Sequence, residues 1–145
     1  MFTHRIFNDS RLFTVEFDDY AKRHYLKRFE KEYKGRQWDI TVESIIQDLA
    51  RMKTSDSDLH KTQQADELWH KDRYWIFKYA FRVALTKEST KSSGNRCIVF
   101  LDNATNRITI LMIYGKGDLP KNISEQAYIE QTLEQELTDY MLMIR

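Results

Sequence analysis

Hydrophobic and polar positions alternate at the start of the chain. In Arg11-Leu-Phe-Thr-Val-Glu-Phe17, Phe13, Val15 and Phe17 stand on one side and Leu12, Thr14 and Glu16 on the other. This period of two predicts a strand closing an N-terminal strand region, residues 1–17. The period then lengthens. Phe17, Ala21, Tyr25, Phe29 and Tyr33 recur every fourth residue behind an Asp18-Asp19 cap region, and Gly35 is placed to end the helix. A second helix is expected from about Asp39, with Ile45, Ile46, Leu49 and Met52 turned to a core. Joined through Lys34 to Trp38, the two form a helical hairpin over residues 18–53. The polar, aperiodic stretch Lys53 to Asp66 reads as a surface loop or short helix.

From Trp69 the pattern becomes that of a sheet, spanning residues 68–119. Trp75, Phe77, Tyr79, Phe81, Val83 and Leu85 fall on one face of a long strand reaching Thr86. Ile76, Lys78, Ala80, Arg82, Ala84 and Thr86 fall on the other, so Lys78 and Arg82 are expected to point the same way. A polar loop, Lys87 to Asn95, leads to a strand Arg96–Leu101. Asp102 to Asn106 are turn formers, and Arg107–Tyr114 is apolar enough for a central strand covered on both faces. After Gly115 to Asp118 and Pro120, a last helix is expected over residues 123–143. Its apolar side carries Ile129, Leu133, Leu137 and Tyr140. Helices gathered ahead of a run of strands indicate an α+β fold: an N-terminal helical hairpin packed on an antiparallel β-meander, with a C-terminal helix.

The 145 residues suit a single domain, 1–145. One cysteine, Cys97, excludes an internal disulfide and a Cys-rich zinc site. It reads as a small buried apolar group. Apolar runs such as Cys97 to Leu101 fall far short of the ~20 residues of a membrane helix. No apolar stretch behind Met1 suggests a signal peptide, so a cytoplasmic setting without a membrane partner is expected. His4, His24, His60 and His70 have no ligand spacing, and the nucleotide-loop and nucleophile-elbow motifs are absent. Neither metal nor cofactor is expected.

The formal net charge is only +1, but it is unevenly distributed. Between Lys71 and Lys121 there are ten basic and four acidic residues, and from Asn122 to Arg145 five acidic and one basic. In a meander, the end of the first strand, the start of the second and the end of the third share one margin. Arg82, Lys87, Lys91, Arg96 and Lys116 can therefore converge there. Ser92, Ser93 and the Gly94 backbone add donors suited to phosphate oxygens. The competing reading is a hairpin end carrying lysines to deter edge pairing.

The segment Lys91-Ser-Ser-Gly-Asn-Arg-Cys-Ile-Val-Phe-Leu101 resembles the central signature of the RelE/ParE superfamily of bacterial toxins, especially its HigB-like members, in which a K-S-x-G-x-R loop enters an apolar strand. Ile110-Leu-Met-Ile-Tyr-Gly-Lys116 is similar to that family's strand ending in Y-x-K. Asp118-Leu119 and Ser124-Glu125 resemble its closing turn and last helix, and Trp75 to Val83 its preceding strand. The likeness covers about half the chain, roughly Trp69 to Leu133.

The resemblance implies the toxin of a type II toxin–antitoxin system, an endoribonuclease that cuts mRNA on the ribosome without metal. The 2′-OH attacks the adjacent phosphorus, leaving a cyclic phosphate and a free 5′-OH. Under it Arg96 clamps the scissile phosphate, and Lys116 stabilises the transition state or protonates the leaving oxygen. Lys91 with Lys78 or Arg82 supplies the base or further charge. Lys87, Ser92 and Ser93 contact RNA, and Tyr128 matches a position for an aromatic that orients a base. A cognate antitoxin, the ribosome and mRNA are the implied partners. The alternatives are a ParE-like gyrase inhibitor and a non-catalytic relative that binds a partner.

Overall fold

The computed structural model describes residues 12–52, 65–90 and 92–145. Expectations that fall on 1–11, on 53–64 and on Lys91 lie outside the described residues.

Strand β1 (Thr14–Phe17) buries Val15 and Phe17, as its alternation requires. Asp18 then caps a helix: its Oδ2 accepts from the Tyr20 N–H at 2.9 Å. The helix runs through α1 (Asp19–Ala21), a π-helical segment (Lys22–Leu26) and α2 (Lys27–Glu32). A step of four overshoots the 3.6-residue α-helical turn, so the stripe Ala21, Tyr25, Phe29 would wind around an ideal helix. The wider π turn takes up the excess and keeps all three buried.

Gly35, at φ +68°, turns the chain into α3 (Arg36–Ala50). This helix begins three residues before the expected Asp39. The early start puts Trp38 in its first turn, where the indole stacks on Phe29 at 4.8 Å and 9°.

Strand β2 (Ala65–Lys71) pairs with β3 (Tyr74–Phe81) through a turn in which Asp72 takes φ +57°. Next come β4 (Asn95–Asp102), a turn ending in Asn106 at φ +54°, and β5 (Arg107–Tyr114). The sheet order is β1-β5-β4-β3-β2. β2 to β5 are antiparallel neighbours, whereas β1 joins β5 in parallel, with Val15 beside Ile108 and Phe17 beside Ile110. The sheet is therefore mixed, not the purely antiparallel meander expected. The free edge of β5 needs a partner, and β1 supplies one at the start of the hairpin that returns across the sheet. The Phe13 N–H is bonded to the Ala50 carbonyl at the end of α3 (2.9 Å).

The alternation in β3 sorts side chains between two layers. Phe77, Tyr79 and Phe81 face the helical hairpin, where the Tyr79 hydroxyl donates to Asp48 Oδ2 at 2.6 Å. Ile76 and Lys78 face the C-terminal helices, and on that side Phe100 packs edge-on to Tyr140 at 5.0 Å. β5 is buried from Ile110 onward, as a central strand should be. Cys97 is fully buried, and burial pushes its thiol pKa far above the ordinary range.

Two boundaries differ from the sequence pattern. The strand expected to reach Thr86 ends at Phe81, because α3 takes over the backbone groups that follow. The Ala84 N–H donates to Thr41 Oγ1 (2.8 Å) and its carbonyl accepts from Gln37 Nε2 (2.9 Å). Arg82 is consequently exposed past the strand end and does not share a strand face with Lys78. The single C-terminal helix is two, α4 (Glu125–Glu136) and α5 (Thr138–Ile144). The break at Leu137, φ −129°, lets Ile129 and Leu133 on one side and Met141 and Ile144 on the other all stay buried. Ser124 caps α4 by accepting from the Ala127 N–H at 3.1 Å. Among the described residues no helix is long and apolar enough to cross a membrane.

Candidate functional site

The end of β3, the start of β4 and the end of β5 meet at one margin of the sheet. Ala80 pairs with Arg96 and Arg96 with Tyr114, while Lys78 pairs with Ile98. Paired residues share a face, as do residues two apart in one strand. Lys78, Arg96 and Tyr114 therefore stand together on the face covered by α4. Arg96 is half-buried, with Nη1 donating to the Asn95 carbonyl at 2.8 Å and to the Thr90 carbonyl at 3.4 Å.

Glu125, in the first turn of α4, points a carboxylate into this group, a residue to which the sequence pattern gave no role in the site. Its Oε1 lies 3.1 Å from Lys78 Nζ, and its Oε2 accepts from the Tyr114 hydroxyl at 2.7 Å. Burial alone would raise the Glu125 pKa. The bonds from Tyr114 and Lys78 and the charges of Lys78 and Arg96 outweigh it, so the carboxyl is held below the usual range. Tyr114 moves the opposite way, upward, through burial first and then its bond to the carboxylate. Because the folded pKa of Glu125 is depressed, its contribution to stability is present above the ordinary glutamate value of 4.5 and is lost as pH falls through the folded value. Glu125→Gln should flatten the acid side of the stability–pH curve, measured by urea midpoints between pH 7 and pH 2. The pair is partly exposed, so the difference should stay below about 1 kcal/mol.

Tyr128 lies edge-on to Tyr114 at 5.6 Å and bonds the Tyr25 hydroxyl at 2.6 Å. Burial raises its pKa, and its ring is half-buried between α4 and the hairpin. Lys116 is exposed and reaches the same margin on the opposite, hairpin side. There it borders a pocket of about 390 Å³ together with Arg28, Tyr33, Ser93 and Asn95. A Cβ on Gly94, which takes φ +73°, would lie 2.7 Å from Lys116 Cβ, so only glycine lets the two segments close. Arg96 and Lys116 thus share the margin but head opposite faces of the sheet.

Lys87 is exposed on the connecting loop. The two serines are engaged within that loop. Ser92 Oγ meets Ser89 Oγ at 2.7 Å, and Ser93 Oγ lies 2.7 Å from the Phe81 carbonyl and 2.8 Å from that of Thr90. Below the margin Arg28 binds both Asp118 and Glu32, and Asp118 Oδ2 also accepts from the Gly115 N–H at 2.7 Å. Among the described residues no group of three His, Cys, Asp or Glu side chains is arranged to hold a metal.

The molecule is an α+β protein whose mixed five-stranded sheet collects cations at one margin, under a glutamate from the C-terminal helix. No family model, curated protein or solved structure matches the chain.

Proposed function

We propose that the chain is a RelE-like toxin of a type II toxin–antitoxin system, cutting ribosome-bound mRNA by attack of a 2′-OH on the adjacent phosphodiester. The observation that carries this reading is the grouping of Arg96, Lys78 and the Tyr114 hydroxyl on one face of the sheet margin, with Lys116 at the same end. The sequence likeness over Lys91 to Leu101 and Ile110 to Lys116 bears on these same residues. A helical hairpin ahead of antiparallel strands also fits it.

In this reading Arg96 clamps the scissile phosphate with its planar fork, and Lys116, on the hairpin side of the margin, draws in the neighbouring stretch of the RNA backbone. Lys78 is committed to Glu125 and supplies fixed charge rather than proton transfer. An RNA phosphate entering the site competes with the Glu125 carboxylate for Lys78 and Tyr114. A small acidic antitoxin is the partner that would cover the exposed cations. The Lys78–Glu125 pair also gives weight to a second reading, a relative that binds a partner without cutting RNA.

Controlled expression in bacteria with 5′-end mapping of a translated message separates the readings. Cuts at fixed codon positions are expected. DNA-damage signalling without message cuts would point to a gyrase inhibitor. Harmless expression with no ribosome association would leave the partner-binding reading.

A further inference from the structure

Among the described residues four large apolar side chains are exposed: Ile40, Leu85, Leu142 and Met143. Single exposed apolar side chains are ordinary on a protein surface. Leu85 departs from that in two ways. It is 82% exposed, and its backbone takes the left-handed conformation, φ +67°. A Cβ is disfavoured there, so glycine would relieve the strain and the exposure together. The turn that carries Leu85 is fixed on both sides. The Ala84 N–H donates to Thr41 Oγ1 at 2.8 Å, and the Ala84 carbonyl accepts from Gln37 Nε2 at 2.9 Å. Thr86 Oγ1 donates to the carbonyl of the buried Val83 at 2.7 Å. A strained apolar side chain is thus held out to solvent by its surroundings, which points to a contact outside its own core.

The four residues form two pairs with opposite charge around them. Leu85 lies between the exposed Arg82 and Lys87. Gln37, which bonds its turn, shares one flank of α3 with Ile40 and follows the exposed Arg36. Glu88 offsets one of these three cations. On α5, Asp139 precedes Leu142 and Met143 by three and four residues, so the three share one exposed face. Glu136, also exposed, stands just before that helix, and the nearby Arg145 is engaged by Glu134 at 3.3 Å. The hairpin carrying α3 and the C-terminal helices cover opposite faces of the sheet, as the Tyr79–Asp48 and Phe100–Tyr140 contacts show. The basic pair and the acidic pair therefore cannot meet within one copy.

We propose that the two patches are the halves of one head-to-tail contact between copies of this chain. Leu85 and Ile40 of one copy pack on Leu142 and Met143 of the next, with Arg82 and Lys87 facing Asp139 and Glu136. The two surfaces differ, so the contact is heterologous, and copies add in sequence until a ring closes. It holds whether or not the chain cuts RNA.

Sedimentation velocity of the full chain over a range of concentrations tests it. A contact made by so few apolar side chains should be weak, with a Kd of about 10–100 μM. It should weaken further as salt rises above about 0.15 M and screens the charges. Leu85→Gly should weaken association at least about tenfold and melt at or above the wild-type temperature, because glycine relaxes the turn. Leu142→Ser should lose association to the same extent with its melt unchanged. Mixed in equal amounts, the two variants should pair one to one and grow no further, since each supplies the surface that the other lacks. A wild type that stays monomeric, a Leu85→Gly that still associates, or a mixture that does not pair would overturn the contact. So would a Leu85→Gly that melts below wild type, because Leu85 would then serve its own fold.

Discussion

Replacing Arg96 with alanine should lower message cleavage about 10²–10³-fold while leaving the fold in place, the loss typical of one preorganised donor to a developing oxyanion. The guanidinium sits at the start of β4, tethered by the Asn95 and Thr90 carbonyls, and shares a face with Lys78 and Tyr114. That tether fixes it before substrate arrives, so none of its binding energy is spent on ordering it. Arg96→Lys keeps the charge but loses the planar fork and should fall between wild type and alanine. Circular dichroism and a thermal melt distinguish lost chemistry from a loosened loop, since alanine also removes the contact to Thr90. Cutting that continues undiminished in a folded Arg96→Ala would take the central residue out of the site.

The second large effect concerns stability. Phe29→Ala should destabilise the protein by about 3–5 kcal/mol, as truncation of a large core aromatic does. Phe29 is 1% exposed, stacks on Trp38 at 4.8 Å and lies 6.0 Å from Phe81, so it joins both hairpin helices to the sheet. The Arg28 guanidinium lies 4.1 Å above its ring, linking this packing to the Asp118 turn below the margin. A loss of that size is a large part of the ~5–15 kcal/mol that holds a typical domain together. Urea denaturation measures it, with the exposed Glu30→Ala as a control expected within about 0.5 kcal/mol of wild type. A loss under about 1 kcal/mol would mean that the hairpin does not depend on this stack.

The two effects also separate what local pattern carries from what it does not. The stripe through Ala21, Tyr25 and Phe29 predicted a buried helix face. The spacing alone could not say that a π turn keeps the stripe straight, because that depends on which residues the sheet buries. β2 went unrecognised before Trp69 because Asp66 and Glu67 on an edge strand are exposed, and a solvated strand lacks a strong alternation. The strand after Phe81 was read too long because Thr41 and Gln37, some forty residues earlier, capture the Ala84 backbone.

The candidate site divides in the same way. The place of Lys78 within β3 and of Arg96 at the start of β4 was legible by counting along each strand. Counting grouped Lys78 with Arg82 and Arg96 with Lys116, so the grouping of Lys78 with Arg96 on one face was not legible. Glu125 was not either, since a glutamate after a capping serine usually serves its own helix, and its bond to Lys78 spans 47 positions. Asn95 looked like one more polar residue at a loop end, and its burial exists only once the Gly115 turn closes over it.

By itself the chain determined its first two helices, the β3, β4 and β5 strands with their turn, and a last helical segment after Pro120. These follow from periods of two and four and from turn and cap residues, which act over a few neighbours. Tertiary structure alone decided that β1 joins β5 in parallel, that the last helix breaks at Leu137, that Lys78 is held by Glu125, and that Arg96 and Lys116 head opposite faces. Each of these depends on partners distant in sequence competing for the same surface, hydrogen bond or charge, and no local pattern records which of them prevails.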